Sequence, residues 1–135
     1  MSKSIVKIEG IGPKLGEALR NAGVRTVEGL LEAGTDKKSR SALAEKTGIS
    51  EARILKYVNM ADLFRINGVA SQYAELLEGA GVDTVKELKH RNAENLAAKM
   101  AEVNAEKNLV RRAPSTTVVS DWVAQAKKLP ARVSY

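Results

Sequence analysis

The chain has 135 residues, with 22 Lys and Arg against 16 Asp and Glu, a formal charge of +6, one His and no Cys. That length holds one domain or two small ones, and without cysteine there is no disulfide framework, thiolate nucleophile, iron–sulfur cluster or Cys-ligated zinc. Leu, Ile, Val and Phe supply 33 residues, enough for a core; no apolar run nears the roughly 18 residues of a membrane span, and MSKSIVKIEG lacks a signal-peptide stretch, so a soluble cytoplasmic protein is expected.

Taken in order, the local signals are helical. Pro13 suits the first turn of a helix, where its missing N–H costs nothing, and Leu15, Leu19 and Ala22 continue at helical spacing to a left-handed stop at Gly23. Thr26 caps a short helix through Leu30, and Thr35 and Ser50 cap the next two runs. The same order returns with a stop at Gly81 and a cap at Thr84 for a helix through Leu88, followed by caps at Asn92, Asn104 and Ser115. Pro114 ends one run, and in the last Val119, Trp122, Val123 and Ala126 keep the spacing of one buried face. The fold expected is all-α, with nine or ten short helices and the first cut to about a turn before Gly10.

The recurrence has a fixed offset. Ile8–Leu31 and Ile66–Lys89 align at a shift of 58 with ten of 24 positions identical, where unrelated sequences of ordinary composition share roughly one or two. This reads as an internal duplication, with one unit at 1–64 and a second at 65–135 that carries the C-terminal amphipathic helix. Two copies are too few for a solenoid, so two similar bundles packed as one compact protein are expected.

Gly10-Ile11-Gly12-Pro13-Lys14-Leu15 is the most informative string. Glycines on either side of an aliphatic residue permit a tight turn with positive φ, while Ile11 points inward. The turn runs straight into a helix, so free amides gather at the positive end of its dipole with little bulk over them, the arrangement a phosphate oxygen requires. Lys14 adds a point charge. Gly16, and Ala74 in the second copy, are small enough for a neighbouring helix to cross closely.

GIGPKLGEAL resembles the helix-hairpin-helix motif, in which main-chain amides of a Gly-hydrophobic-Gly turn hold a nucleic-acid phosphate without reading sequence. The duplicated pair is similar to the tandem helix-hairpin-helix domains of DNA repair and recombination proteins, built as SAM-like helical bundles, and that likeness implies two hairpins gripping both strands across the minor groove. AELLEGAGVDTVKEL, with Arg111-Arg112-Ala113-Pro114-Ser115 and Asp121-Trp122-Val123, also resembles a family of small bacterial proteins classed as a domain of unknown function, over Ile8 to about Lys128.

The second hairpin keeps Gly68 and Val69, but Ala70 stands in place of the second glycine, Ser71 in place of proline and Gln72 in place of lysine. It is expected to bind more weakly, with Arg65 the nearest extra cation. The groups Lys37, Lys38, Arg40 and Lys107, Arg111, Arg112 either extend a basic footprint or are solvated faces, with Glu102 and Glu106 one turn from Lys107 and Arg111. Trp122 sits on an apolar helical stripe and reads as core, Tyr57 and Tyr73 read as core or rim for the same reason, and with so few aromatics no stacking platform for single strands is expected.

The resulting expectation is a binder of nucleic acid, duplex DNA favoured, acting without cofactor, metal, membrane or catalysis. No clustered carboxylates or placed nucleophile accompany His90. The same hairpins also suit an adaptor that docks another protein or a second copy, or a purely architectural turn. The charge does not separate these readings, since each side of Phe64 carries 11 basic and 8 acidic residues.

Overall fold

In a computed structural model, which describes residues 3–135, the chain is all-helical. A 3-10 turn at Ile5–Lys7 precedes eight α-helices: α1 (Pro13–Asn21), α2 (Val27–Ala33), α3 (Lys37–Thr47), α4 (Glu51–Leu63), α5 (Ser71–Gly79), α6 (Val85–Leu88), α7 (Ala93–Lys107) and α8 (Thr116–Lys127). No strand occurs among the described residues; Ser4 and Thr26 form an isolated antiparallel bridge.

The chain divides into two units. One runs to Asp62 and is completed by Arg132–Tyr135, and the other is Leu63–Ala131. The reading of the sequence carried the second unit to residue 135. The last four residues belong with the first because Ser134 donates its amide to the Thr35 carbonyl at 2.8 Å and accepts from Arg40 Nη2 at 2.7 Å.

Within the first unit, α1 and α2 are joined by a Schellman turn. The Gly23 amide donates to the Arg20 carbonyl at 3.0 Å and the Val24 amide to the Leu19 carbonyl at 2.9 Å, with Gly23 at φ +90°. Thr26 then caps α2, its Oγ1 accepting from the Gly29 amide at 2.9 Å. The core gathers Ile5, Ile8, Leu19, Leu30, Leu31, Ile54 and Met60, all of them essentially inaccessible. Each such side chain contributes about 1.5–3 kcal/mol by leaving water. Gly16 is buried, and a Cβ there would lie 3.1 Å from Val6 Cγ1, so the element its small size admits is the 3-10 turn.

The second unit uses the same local devices. Gly81 sits at φ +92°, its amide donates to the Glu78 carbonyl at 3.0 Å, and the Val82 amide donates to the Leu77 carbonyl at 2.9 Å. Thr84 caps α6. Here α7 packs on α5 and α8, and α8 also packs on α6. Leu63, Ile66, Leu76, Leu77, Leu88 and Met100 fill the core with Val119, Trp122 and Ala126 of the α8 stripe.

Two expected caps fall elsewhere. Asp36, not Thr35, caps α3 by accepting from the Ser39 amide at 2.7 Å, while the Thr35 hydroxyl donates back to the Glu32 carbonyl at 3.0 Å. Asn104 opens no helix. It lies inside the continuous α7, and its side-chain amide holds the following loop, donating to the Val110 carbonyl and accepting from the Val110 amide, both at 3.0 Å. That continuity leaves nine helical segments among the described residues, counting the 3-10 turn, the lower of the two expected numbers.

Candidate functional site

The segment from Ile8 to Leu15 makes a tight turn and enters α1. The Ile11 amide donates to the Ile8 carbonyl at 3.1 Å, and the Gly16 amide to the Gly12 carbonyl at 2.8 Å. Gly10 takes φ +94°, a region that strains any residue bearing a side chain. Its carbonyl accepts the Tyr57 hydroxyl at 3.1 Å. Ile11 is buried as the plug its position predicts, while Gly10, Gly12 and Lys14 are exposed and Leu15 is half-buried.

What this leaves open is a set of donors. Gly12, the N-cap, is extended at φ −84°, ψ −174° and offers no capping side chain. Pro13 has no N–H. The amides of Lys14 and Leu15 therefore have no acceptor from the helix or its cap, and they stand at the positive end of the α1 dipole. The Lys14 ammonium is exposed and makes no ion pair among the described residues. Glu9 and Glu17 are also exposed nearby in sequence and temper the field.

The second turn has the same backbone course. The Val69 amide donates to the Ile66 carbonyl at 3.1 Å and the Ala74 amide to the Ala70 carbonyl at 2.9 Å. Gly68 takes φ +97°, and Ala70, the N-cap of α5, is extended at φ −110°, ψ −170° without a capping bond. Alanine is tolerated there because φ is negative. Val69 is buried, and Gly68, Ala70 and Gln72 are exposed. The Ser71 hydroxyl is buried with no hydrogen-bond partner.

Thus Gly10, Gly12 and Lys14 come together on one exposed turn, and Gly68, Ala70 and Gln72 on another. The accessory cations are placed differently from expectation. Arg65 is not a free charge for the second turn, since its Nη2 donates to the Pro130 carbonyl at 2.7 Å. Arg40 is 4% exposed and donates to the carbonyls of Gly34 and Ser134 at 2.8 and 2.7 Å, so it is a structural cation and adds nothing to a surface footprint. Arg111 lies beyond the end of α7, out of helical register with Glu106, and the ion pair on that helix is Lys99–Glu102 at 3.8 Å. Trp122 is core, 2% exposed, with the Tyr73 ring edge-on at 5.3 Å.

From the sequence Tyr57 reads as core or rim, with nothing to mark its hydroxyl as the anchor of the Gly10 turn. The two residues are 47 positions apart, and no local pattern marks such a bond. Among the described residues no group of three His, Cys, Asp or Glu stands ready to hold a metal ion. No helix among them is long and apolar enough to cross a membrane.

A family model described as "Domain of unknown function (DUF4332)" matches residues 9–129. No curated protein and no solved structure matches the chain.

Proposed function

The chain belongs to the DUF4332 family, and from its own geometry we propose that it binds nucleic acid, duplex DNA in preference, without reading base sequence. In this reading the two turns are helix-hairpin-helix elements descended from one duplicated unit. The first is the principal contact: Gly10, Gly12 and Leu15 contribute backbone, Ile11 plugs the turn from inside with its amide bonded to the Ile8 carbonyl, and Lys14 contributes an amide and its ammonium. Gly68, Val69, Ala70, Ser71 and Gln72 form a weaker second contact. The protein is a cytoplasmic binder and not an enzyme, and it needs no cofactor.

One observation carries this reading. The start of α1 presents amides without acceptors beside two exposed glycines and an unpaired lysine. Backbone amides at a helix N-terminus suit an oxyanion, and low side-chain bulk admits one as large as a phosphodiester. Such a contact carries no base information, because phosphates are the same at every step.

The deciding experiment is a titration against mixed-sequence duplex at low salt. Binding should weaken as salt rises, with log K falling by about 0.9 per logarithmic unit of salt for each phosphate neutralised. Lys14→Ala should weaken binding evenly across sequences and reduce that slope by about one. No binding at low salt sinks the reading. Failure to bind together with a concentration-dependent mass, or recovery of a protein partner, favours the docking adaptor instead.

A further inference from the structure

The second turn lost its lysine and one glycine, yet it borders a hollow of about 410 Å³ whose walls come from elsewhere in the same unit. Gly68 and Tyr73 form one side, and Arg112, Ser115, Val118 and Trp122 complete it. That volume falls within the range of roughly 300–1,000 Å³ typical of ligand pockets.

Four features of the hollow point to an anionic occupant with an apolar side. Trp122 is 2% exposed, yet its indole N–H has no hydrogen-bond partner within the described chain. The nitrogen is not itself fully enclosed, so it stays open to a partner from the hollow. Its Nε1 lies 3.2 Å from where a Cβ on Gly68 would stand, so a side chain at that position would cover it, and glycine leaves it facing the hollow. Arg112 is exposed and makes no ion pair among the described residues. Ser115 caps α8, a helix of 12 residues, through the Val118 amide at 3.3 Å, which leaves the Thr116 and Thr117 amides without helical acceptors. Val118, 43% exposed, and the half-buried Tyr73 supply apolar surface.

We infer that this hollow holds one sugar–phosphate unit of a bound nucleic-acid strand, with Arg112 replacing the lysine that the second turn lacks. The phosphate meets the Arg112 guanidinium and the amides opening α8, the Trp122 N–H donates to a phosphate or sugar oxygen, and the sugar carbons rest on Val118 and Tyr73. This rests on the nucleic-acid reading above and extends it to residues outside either glycine turn.

Trp122 is the only tryptophan in the chain, so its emission reports on the hollow directly. The experiment follows the anisotropy of an end-labelled mixed-sequence duplex in a low-salt titration of the native chain, Arg112→Gln and Trp122→Phe, with indole emission followed alongside in the first two. The two signals should share a midpoint. Arg112→Gln should weaken binding about three- to fivefold and lower the salt slope by about one. Trp122→Phe keeps the core nearly filled and should weaken binding by a similar factor; if it fails to fold, the exposed Arg112→Gln still decides. Duplex binding with unchanged emission and native affinity for Arg112→Gln overturns the hollow while leaving the Gly10 turn standing. No duplex binding by the native chain removes both.

Discussion

The Tyr57 hydroxyl donates to the carbonyl of Gly10 at 3.1 Å, so a side chain from α4 holds the turn that presents the donors at the head of α1. The ring also closes off the space behind the turn: a Cβ on Gly10 would lie 3.3 Å from Tyr57 Cε1. Tyr57→Phe keeps the ring and removes only the bond. It should cost about 0.5–1.5 kcal/mol in a denaturant titration. If the turn is the phosphate site, the same variant weakens duplex binding two- to fivefold with its circular dichroism spectrum unchanged, because a looser turn must be ordered on binding.

Gly10 and Gly12 should respond differently to alanine. At Gly10, with φ +94°, alanine adopts a left-handed conformation that costs about 1–2 kcal/mol and presses on Tyr57. At Gly12, φ is negative and a Cβ meets nothing within 4 Å. Glycine is the better cap, but alanine loses less chain entropy on folding, so Gly12→Ala should change stability by no more than about 0.5 kcal/mol. Its methyl group nevertheless sits beside the Lys14 and Leu15 amides. Weaker duplex binding at unchanged stability would tie function to those amides; native affinity would argue that the phosphate lies elsewhere.

These two glycines also mark how far the sequence could be read. The Gly10 and Gly68 turns, the stops at Gly23 and Gly81 and the caps at Thr26, Thr84, Asn92 and Ser115 were legible because each depends on φ, hydrogen-bonding atoms and neighbours a few residues away. Asn104 shows the limit of that logic: a good capping residue serves equally well as a loop clamp, and only the loop it meets decides between them. What stayed hidden involves distant partners. Neither the Tyr57 bond to Gly10 nor the contact of Ser134 with Arg40 has a local signature, and Arg112 was visible as a basic residue without any sign that it stands beside Gly68.

Arg40 ties the end of the chain to the first unit. The residue is 4% exposed, and its guanidinium donates to the carbonyls of Gly34 and Ser134 and lies 5.9 Å from the centre of the Tyr135 ring. The Tyr135 hydroxyl donates to Asn59 Oδ1 at 3.3 Å. Removing Arg132–Tyr135 takes one acceptor from a buried cation, uncovers Val133's contacts and leaves Asn59 without that donor. Hydrogen bonds to charged groups are worth about 1.5–3 kcal/mol, so a chain ending at Ala131 should unfold at a clearly lower denaturant concentration. Tyr135→Ala, which spares the Ser134 bonds, should cost less. Equal midpoints for the truncated and full chains would show that the tail contributes nothing.

Asp36 gives the first unit an acid-sensitive element. The Ser39 amide, followed by the Ser39 side chain, holds its carboxyl below the ordinary value of 3.8; desolvation opposes them, and the charges of Arg40 and then Lys38 add smaller lowering effects. Because the folded state lowers this pKa, the unfolded chain binds the proton more readily. The cap's contribution is therefore complete above the unfolded value and is lost as pH falls through the folded one. Asp36→Ala should melt below the native chain at neutral pH, and the gap should narrow below pH 3.8 and close as the pH falls through the lower folded value. Asp36→Asn retains a side-chain acceptor that does not titrate. Its melting temperature should exceed that of Asp36→Ala by a margin that persists in acid, and if that margin also vanished there, ionisation of Asp36 would not be the source of the pH dependence.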